Sequence, residues 1–149
     1  MKKASSELLL LDVNVLLALA WPNHQFHRAA VRRLERSSEA WGTCAVTQLG
    51  FIRLSSRPGV VGVQMTPWEA ASLLALLVAD PQHVYLDSLP SPAGGPFLEG
   101  LAGIMGSQQV TDSYLLSLAK HHHAKLLTFD ARLSNLAEGT GRVEVLVSE

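Results

Sequence analysis

The chain has a single cysteine, Cys44. A disulfide framework is therefore excluded, and a reducing compartment is the simple reading. Charge is also sparse. Only 17% of the residues are charged and the formal net charge is −1, so nothing global advertises nucleic-acid binding, although a local basic face stays open. No apolar run reaches the ~20 residues that span a bilayer, which points to a soluble protein. A glycine-rich phosphate loop is missing too: Gly94-Gly95 runs into Pro96, which removes an amide donor. What is present is 149 residues, 48% of them apolar. That suits one ordinary domain over 1–149, with a core that needs neither disulfide nor zinc.

Lys2 and Lys3, followed by an apolar stretch and Ala18-Leu19-Ala20, superficially copy a secretory signal. Asp12 and Asn14 break that stretch, and a carboxylate in lipid costs about 2.5–3.5 kcal/mol. The expected location is the cytoplasm.

The run Glu7–Leu11 does not alternate, which suits a strand buried on both faces of a parallel sheet. A helical stretch follows from Val15 to Trp21. Asn23 is placed to cap the next helix, which runs through Phe26, Ala30 and Leu34. That helix carries Arg28, Arg32, Arg33 and Arg36, read as a solvated face or as an attractor of phosphate or an acidic partner. A second strand is expected over 41–46, with Cys44 inside it as a core residue, and a helix from Thr47 toward Arg57-Pro58-Gly59. Thr66-Pro67-Trp68-Glu69 has the form of a capping box with proline at the first helical position, opening a helix to about Ala79. His83–Leu86 is a third strand and 88–96 a loop. Residues 97–106 are ambiguous, with a weak helix as one reading. Val110–His123 is a helix, Lys125–Thr128 a fourth strand, Asp130–Leu136 a short helix and Arg142–Val147 a last strand. Strands alternating with helices predict an α/β fold with a mostly parallel central sheet flanked by helices.

Ligands of such folds sit outside the carboxyl ends of the strands. Four polar residues fall there: Asp12 after the first strand, Gln48 after the second, Asp112 opening the helix before the fourth strand, and Asp130 after that strand. If the first, second and fourth strands are neighbours, these residues meet at one edge. Carboxylates gathered without cations repel, and carboxylate oxygens are the hard ligands that Mg²⁺ and Mn²⁺ prefer. Each aspartate also has a plainer explanation as a helix cap, with Thr111-Asp112 fitting a helix start. Asp12, however, interrupts an apolar segment, and a buried unpaired carboxylate is expensive.

Four segments carry a resemblance: Leu11-Asp12-Val13-Asn14-Val15-Leu16-Leu17-Ala18-Leu19-Ala20, Thr47-Gln48-Leu49-Gly50-Phe51-Ile52-Arg53, Val110-Thr111-Asp112-Ser113-Tyr114-Leu115-Leu116-Ser117-Leu118-Ala119 and Leu127-Thr128-Phe129-Asp130. In this order and spacing the chain resembles PIN-domain ribonucleases, specifically the VapC-type toxins of bacterial toxin–antitoxin pairs, from residue 8 to about 136. The resemblance implies a single PIN-like domain and a metal-dependent endoribonuclease. Asp12, Asp112 and Asp130 match the acidic positions that hold Mg²⁺ or Mn²⁺. Asn14, Thr111 and Thr128 match polar positions that orient the carboxylates or a water. Gln48 falls where many members carry a glutamate, which predicts three carboxylates in place of four, weaker metal affinity and doubt over a second ion. A subset of VapC-like sequences shares the Thr-Gln-x-Gly-Phe-x-Arg pattern. The resemblance also implies an RNA substrate, a homodimer and a cognate VapB-like antitoxin protein that blocks the acidic groove. Candidate partner surfaces are the helices near 15–36 and 47–56.

Divalent ions neutralise a phosphodiester and activate a water, so no covalent nucleophile is required. Arg53, five residues after Gln48, is a candidate for substrate phosphate or for an acidic partner. The run His121-His122-His123 reads as a positively charged helix end, because adjacent helical residues point about 100° apart and cannot share one ion. Trp41 is expected in the core; Trp21 and Trp68 are placed to line an interface. Two rivals remain. One is a catalytically weak PIN-like module that binds RNA or a partner, because Gln48 weakens the metal site. The other is a phosphoryl-receiving regulatory domain, which expects a lysine after a late strand; Lys120 precedes the fourth and Lys125 opens it, so neither follows it.

Overall fold

A computed structural model describes residues 7–104, 106–137 and 142–147; Lys2 and Lys3 of the signal-like amino terminus, and part of the ambiguous 97–106 stretch, lie outside these. Strand β1 (Leu8–Leu11) leads into α1 (Val13–Ala20) and α2 (His27–Glu35), then β2 (Ala40–Thr43), α3 (Ala45–Ser55), α4 (Pro67–Leu77) and β3 (His83–Tyr85). After the 88–94 loop come α5 (Gly95–Gly100) with a 3-10 turn at Leu101–Gly103, then α6 (Gln109–His121), β4 (Ala124–Thr128), α7 (Arg132–Leu136) and β5 (Val143–Val145).

The five strands form one parallel sheet in the order β3-β2-β1-β4-β5. The continuous Leu8–Leu11 run has the reason expected of it. Leu9 and Leu11 enter one buried cluster with Val15, Leu16, Trp41, Phe51 and Leu74. Leu10 enters the other with Leu86, Leu115, Leu118 and Leu126. Both faces are covered by helices, so both sets of alternating side chains must be apolar.

The chain moves outward from β1 through β2 to β3, then returns to place β4 on the other side of β1. That reversal opens a crevice at the carboxyl edge beside β1. A helix that precedes a parallel strand must start over the carboxyl edge and run back to the amino edge. Hence the first turn of α6, with Asp112, stands beside the ends of β1 and β4.

Several local expectations shift. Cys44 is buried, but it follows β2 as the N-cap of α3. Thr47 Oγ1 accepts from the Cys44 amide at 3.0 Å, and this backward reach ends the strand early. Asn23 does not cap α2; its amide donates to the Val61 carbonyl, and Phe26 stands at the cap without a side-chain bond. Asp112 is the fourth residue of α6, not the first. The capping box of Thr66 and Glu69 forms as expected.

The arginine-rich face of α2 is not uniformly solvated. Arg33 is buried and clamps Glu144 with two hydrogen bonds, Nε at 2.7 Å and Nη2 at 2.9 Å, while also pairing with Glu39. Lys125 bridges Glu144 and Glu7, and Arg142 also pairs with Glu7. Trp41 lies in the core, Trp21 donates to Ser55, and Trp68 is 77% exposed. The three histidines close α6, with His123 in the left-handed region at φ 57°.

Candidate active site

Asp12 is the first residue past β1 and caps α1. Its amide donates to the Leu127 carbonyl at 2.9 Å, extending the β1–β4 ladder by one residue. The carboxylate is buried, and each oxygen accepts one bond: Oδ1 from the Val13 amide and Oδ2 from the Thr128 hydroxyl, both at 2.7 Å. These bonds favour the charged form, yet burial outweighs them and pushes the carboxyl up, with the field of Asp130 adding to it. The plain reading of Asp12 as a cap is thus correct and insufficient.

Thr128 ends β4 and is wholly buried. A hydroxyl offers one proton and two lone pairs, and here all three are used. It donates to Asp12, and accepts from Asn14 Nδ2 at 3.3 Å and from the Asp130 amide at 3.0 Å. Asn14 also takes the Phe129 amide on its Oδ1. Asn14 and Thr128 therefore fix the strand ends that carry Asp12 and Asp130.

Asp112 is half-buried and its carboxyl is pushed up to about 6, first by burial and then by the charges of Asp12 and Asp130. It lines a depression of about 550 Å³ with Gly106–Gln109, Arg132, Leu133 and Leu136. Asp130 behaves oppositely. Arg132, unmarked by the sequence reading, grips it with Nε on Oδ1 at 3.0 Å and Nη2 on Oδ2 at 2.8 Å, and this guanidinium holds the carboxyl below its ordinary range. The only sequence signal was the two-residue spacing from Asp130 at a helix start.

Among the described residues, no three His, Cys, Asp or Glu side chains form a ready-made ligand group. The donor set still fits a hard divalent cation. Three carboxylates lie within one another's field, two of them pushed toward the protonated form, and a cation would relieve that excess.

Gln48 sits half-buried in the first turns of α3, and Nε2 donates to the Thr43 hydroxyl at 2.9 Å. Its helix lies hard against α1, because a Cβ at Gly50 would stand 2.8 Å from Val13 Cγ2. No hydrogen bond joins Gln48 to the three aspartates among the described residues. Thr111 is exposed and faces a separate depression with Val46, Leu89, Phe97 and Tyr114. Arg53 is exposed on the last turn of α3, with no ion pair to the three aspartates among the described residues. Asp12, Asn14, Asp112, Thr128 and Asp130 come together; Thr111 and Arg53 do not join them.

A PIN-domain family model matches residues 9–139. The chain belongs to the PIN-domain family. This PIN domain is 40% identical over 142 residues to Ribonuclease VapC39 of Mycobacterium tuberculosis H37Rv, covering 92% of this chain and 98% of that protein. It is 37% identical over 131 residues to Ribonuclease VapC38 of the same strain, covering 87% and 89%. A crystal structure of VapBC2 from Rickettsia felis, bound to a DNA fragment from their promoter, contains a similarly folded chain. The TM-score is 0.61 at 13% identity, covering 94% of this chain and 99% of that one. Among the described residues, no helix of this PIN domain is long and apolar enough to cross a membrane.

Proposed function

We propose that this chain is a metal-dependent endoribonuclease of the VapC type, the toxin of a toxin–antitoxin pair. The observation that carries the reading is the gathering of Asp12, Asp112 and Asp130 at one carboxyl edge, with burial and mutual repulsion holding Asp112 at about 6. Relatives named as ribonucleases at up to 40% identity support the activity. Asp12, Asp112 and Asp130 would hold Mg²⁺ or Mn²⁺, with Gln48 a neutral neighbour where many family members carry a carboxylate. When bound, the ion supplies charge neutralisation and Lewis acidity at a phosphodiester.

The chain's own groups prepare that site. Thr128 and Asn14 hold Asp12 and the Asp130 backbone in register. Asp112 presents its carboxyl to the open depression and loses its proton readily only above pH ~6, so it acts as the proton-sensitive member of the set. Arg132, on the wall of the same depression, is a cation within reach of an incoming phosphate. Arg53 stands farther along α3 as a second contact for the RNA backbone. One PIN domain over 1–149, a homodimer, a VapB-like antitoxin and a cytoplasmic location complete the reading.

The experiment is cleavage of a cellular RNA pool by antitoxin-free protein with Mg²⁺, with Mn²⁺ and with EDTA, beside Asp12→Asn. Cutting that needs metal and vanishes in D12N is expected. No cutting by folded protein under either ion would overturn it and leave an RNA- or partner-binding module, which the neutral Gln48 favours.

A further inference from the structure

Gln48 stands at the end of a directional hydrogen-bond chain. Its Nε2 donates to Thr43 Oγ1 at 2.9 Å, and Thr43 Oγ1 lies 2.7 Å from His83 Nε2. Thr43 is wholly buried at the last position of β2, and His83 opens the neighbouring strand β3. The Thr43 hydroxyl has one proton to give. Because Gln48 is a donor here, that proton has one useful destination, the His83 ring nitrogen. If Nε2 carried a hydrogen instead, the buried Thr43 proton would have no acceptor, at the cost of an unsatisfied group. The chain therefore runs Gln48 N–H to Thr43 O–H to His83 Nε2, with the His83 proton on Nδ1. Burial favours the neutral ring, while the nearby Asp80 opposes it; the Trp41 ring packs edge-on at 4.8 Å.

We propose that Thr43 and His83 are positioning residues that hold the Gln48 amide in one orientation, and that this hydroxyl–imidazole pair suits an amide at position 48 and disfavours a carboxylate. With Nε2 committed to Thr43, Oε1 is the end left without a hydrogen bond among the described residues, and so the end free to meet a ligand. A glutamate in the same place would face a hydroxyl oxygen whose proton is already spent. To accept it, the whole chain must reverse: His83 Nε2 must become a donor to Thr43, and Thr43 a donor to the carboxylate. A carboxylate at position 48 and this glutamine thus belong to opposite settings of one relay.

The inference rests on the reading that position 48 lies at an RNA-cutting edge, but its decisive readout needs no RNA. Long-range ¹H–¹⁵N spectra of imidazole-labelled full-length protein at neutral pH report which His83 nitrogen carries the proton. The expected result is an unprotonated Nε2 in the wild type and a protonated Nε2 in Gln48→Glu. A protonated Nε2 in the wild type, or no change in Q48E, overturns the proposal. Thr43→Val should shift the Gln48 side-chain amide signals and speed their exchange with water, while Thr43→Ser restores them. Unaltered amide signals in T43V overturn it too; if T43V fails to fold, the wild-type and Q48E spectra decide alone. On activity, T43V should lower kcat ~10–100-fold with little change in KM, as a misplaced group does. A wild type that cuts no RNA yet shows the expected His83 state defeats the nuclease reading and leaves the relay standing.

Discussion

The Thr128 hydroxyl donates to Asp12 at 2.7 Å across 116 residues of sequence, and the same oxygen receives the Asp130 amide at 3.0 Å. One buried atom therefore ties the ends of β1 and β4 and sets the direction from which two acidic side chains leave the sheet. Thr128→Val keeps the shape but strands Asp12 Oδ2, Asn14 Nδ2 and the Asp130 amide. The expected loss is about 2 kcal/mol of stability, from unsatisfied buried partners, with a larger fall in RNA cleavage than the stability change explains. Thr128→Ser should spare both. Urea unfolding and cleavage rates on the three proteins check this.

Asp112 carries a stability signature that depends on pH. Its folded carboxyl lies near 6 against an ordinary 3.8. A raised carboxyl means that stability is fully present below pH ~4 and is lost as pH rises through 6. Asp112→Asn removes the ionisable group. Without metal it should stabilise the fold at pH 7.5 by about 1–2 kcal/mol, after a discount for the half-exposed position, and the gain should vanish near pH 4. Thermal melts at the two pH values decide the matter. The same ionisation predicts that metal affinity in the wild type climbs between pH 5 and pH 7, the window around Asp112's value, as titration with Mn²⁺ would register.

Arg132 occupies the Asp130 carboxylate with two hydrogen bonds, yet its own side chain is 81% exposed. So open a pair is weak, because solvent screens it, and a divalent cation can displace it. Arg132→Gln should tighten Mn²⁺ binding modestly, since only an exposed, screened pair is lost, and weaken binding of RNA to a D12N background. Calorimetry on R132Q measures the first and a filter-binding titration the second. Weaker metal binding in R132Q would mean that the arginine organises Asp130 and does not compete for it.

The Arg33 clamp pulls the Glu144 carboxyl down from 4.5 to about 2. A lowered carboxyl contributes stability above pH 4.5 that is lost as pH falls toward 2. Glu144→Gln should cost about 1 kcal/mol at pH 7, discounted for partial exposure, with Arg33 still held by Glu39. The gap between wild type and E144Q should narrow by pH 3. Acid titration of both unfolding midpoints tests the sign.

Much of the fold was legible because the relevant signals are local or periodic. An apolar run without alternation at Leu8–Leu11 implies burial on both faces, and the alternation of strands and helices implies a parallel sheet. A carboxylate at the end of such a run marks the carboxyl edge. From these the approach of Asp12, Asp112 and Asp130 followed, provided the first and fourth strands are neighbours, while Asn14 and Thr128 were marked by the family resemblance alone. The capping box at Thr66 and Glu69 could likewise be read because both partners lie within one turn.

Element ends and charge partners were decided elsewhere. The second strand stops at Thr43, before Cys44, because Thr47 reaches back to the Cys44 amide. Asn23 serves the Val61 carbonyl 38 residues away and leaves α2 uncapped by its side chain. Arg33 looked like one of four solvated arginines until the last strand brought Glu144 to it. These outcomes depend on which distant groups the packed chain delivers, and a polar side chain takes whichever partner burial offers.

By itself, then, the sequence determined the parallel α/β layering and that its aspartates stand at the carboxyl ends of strands, since both follow from hydrophobic period and the alternation of elements; the strand order that brings them together is tertiary. Only the tertiary structure decided the state of each carboxylate. Asp12 and Asp112 are raised by burial and mutual repulsion, while Asp130 is lowered by Arg132. Proton affinity is set by desolvation and neighbouring charge, and these exist only once the chain has closed around the site.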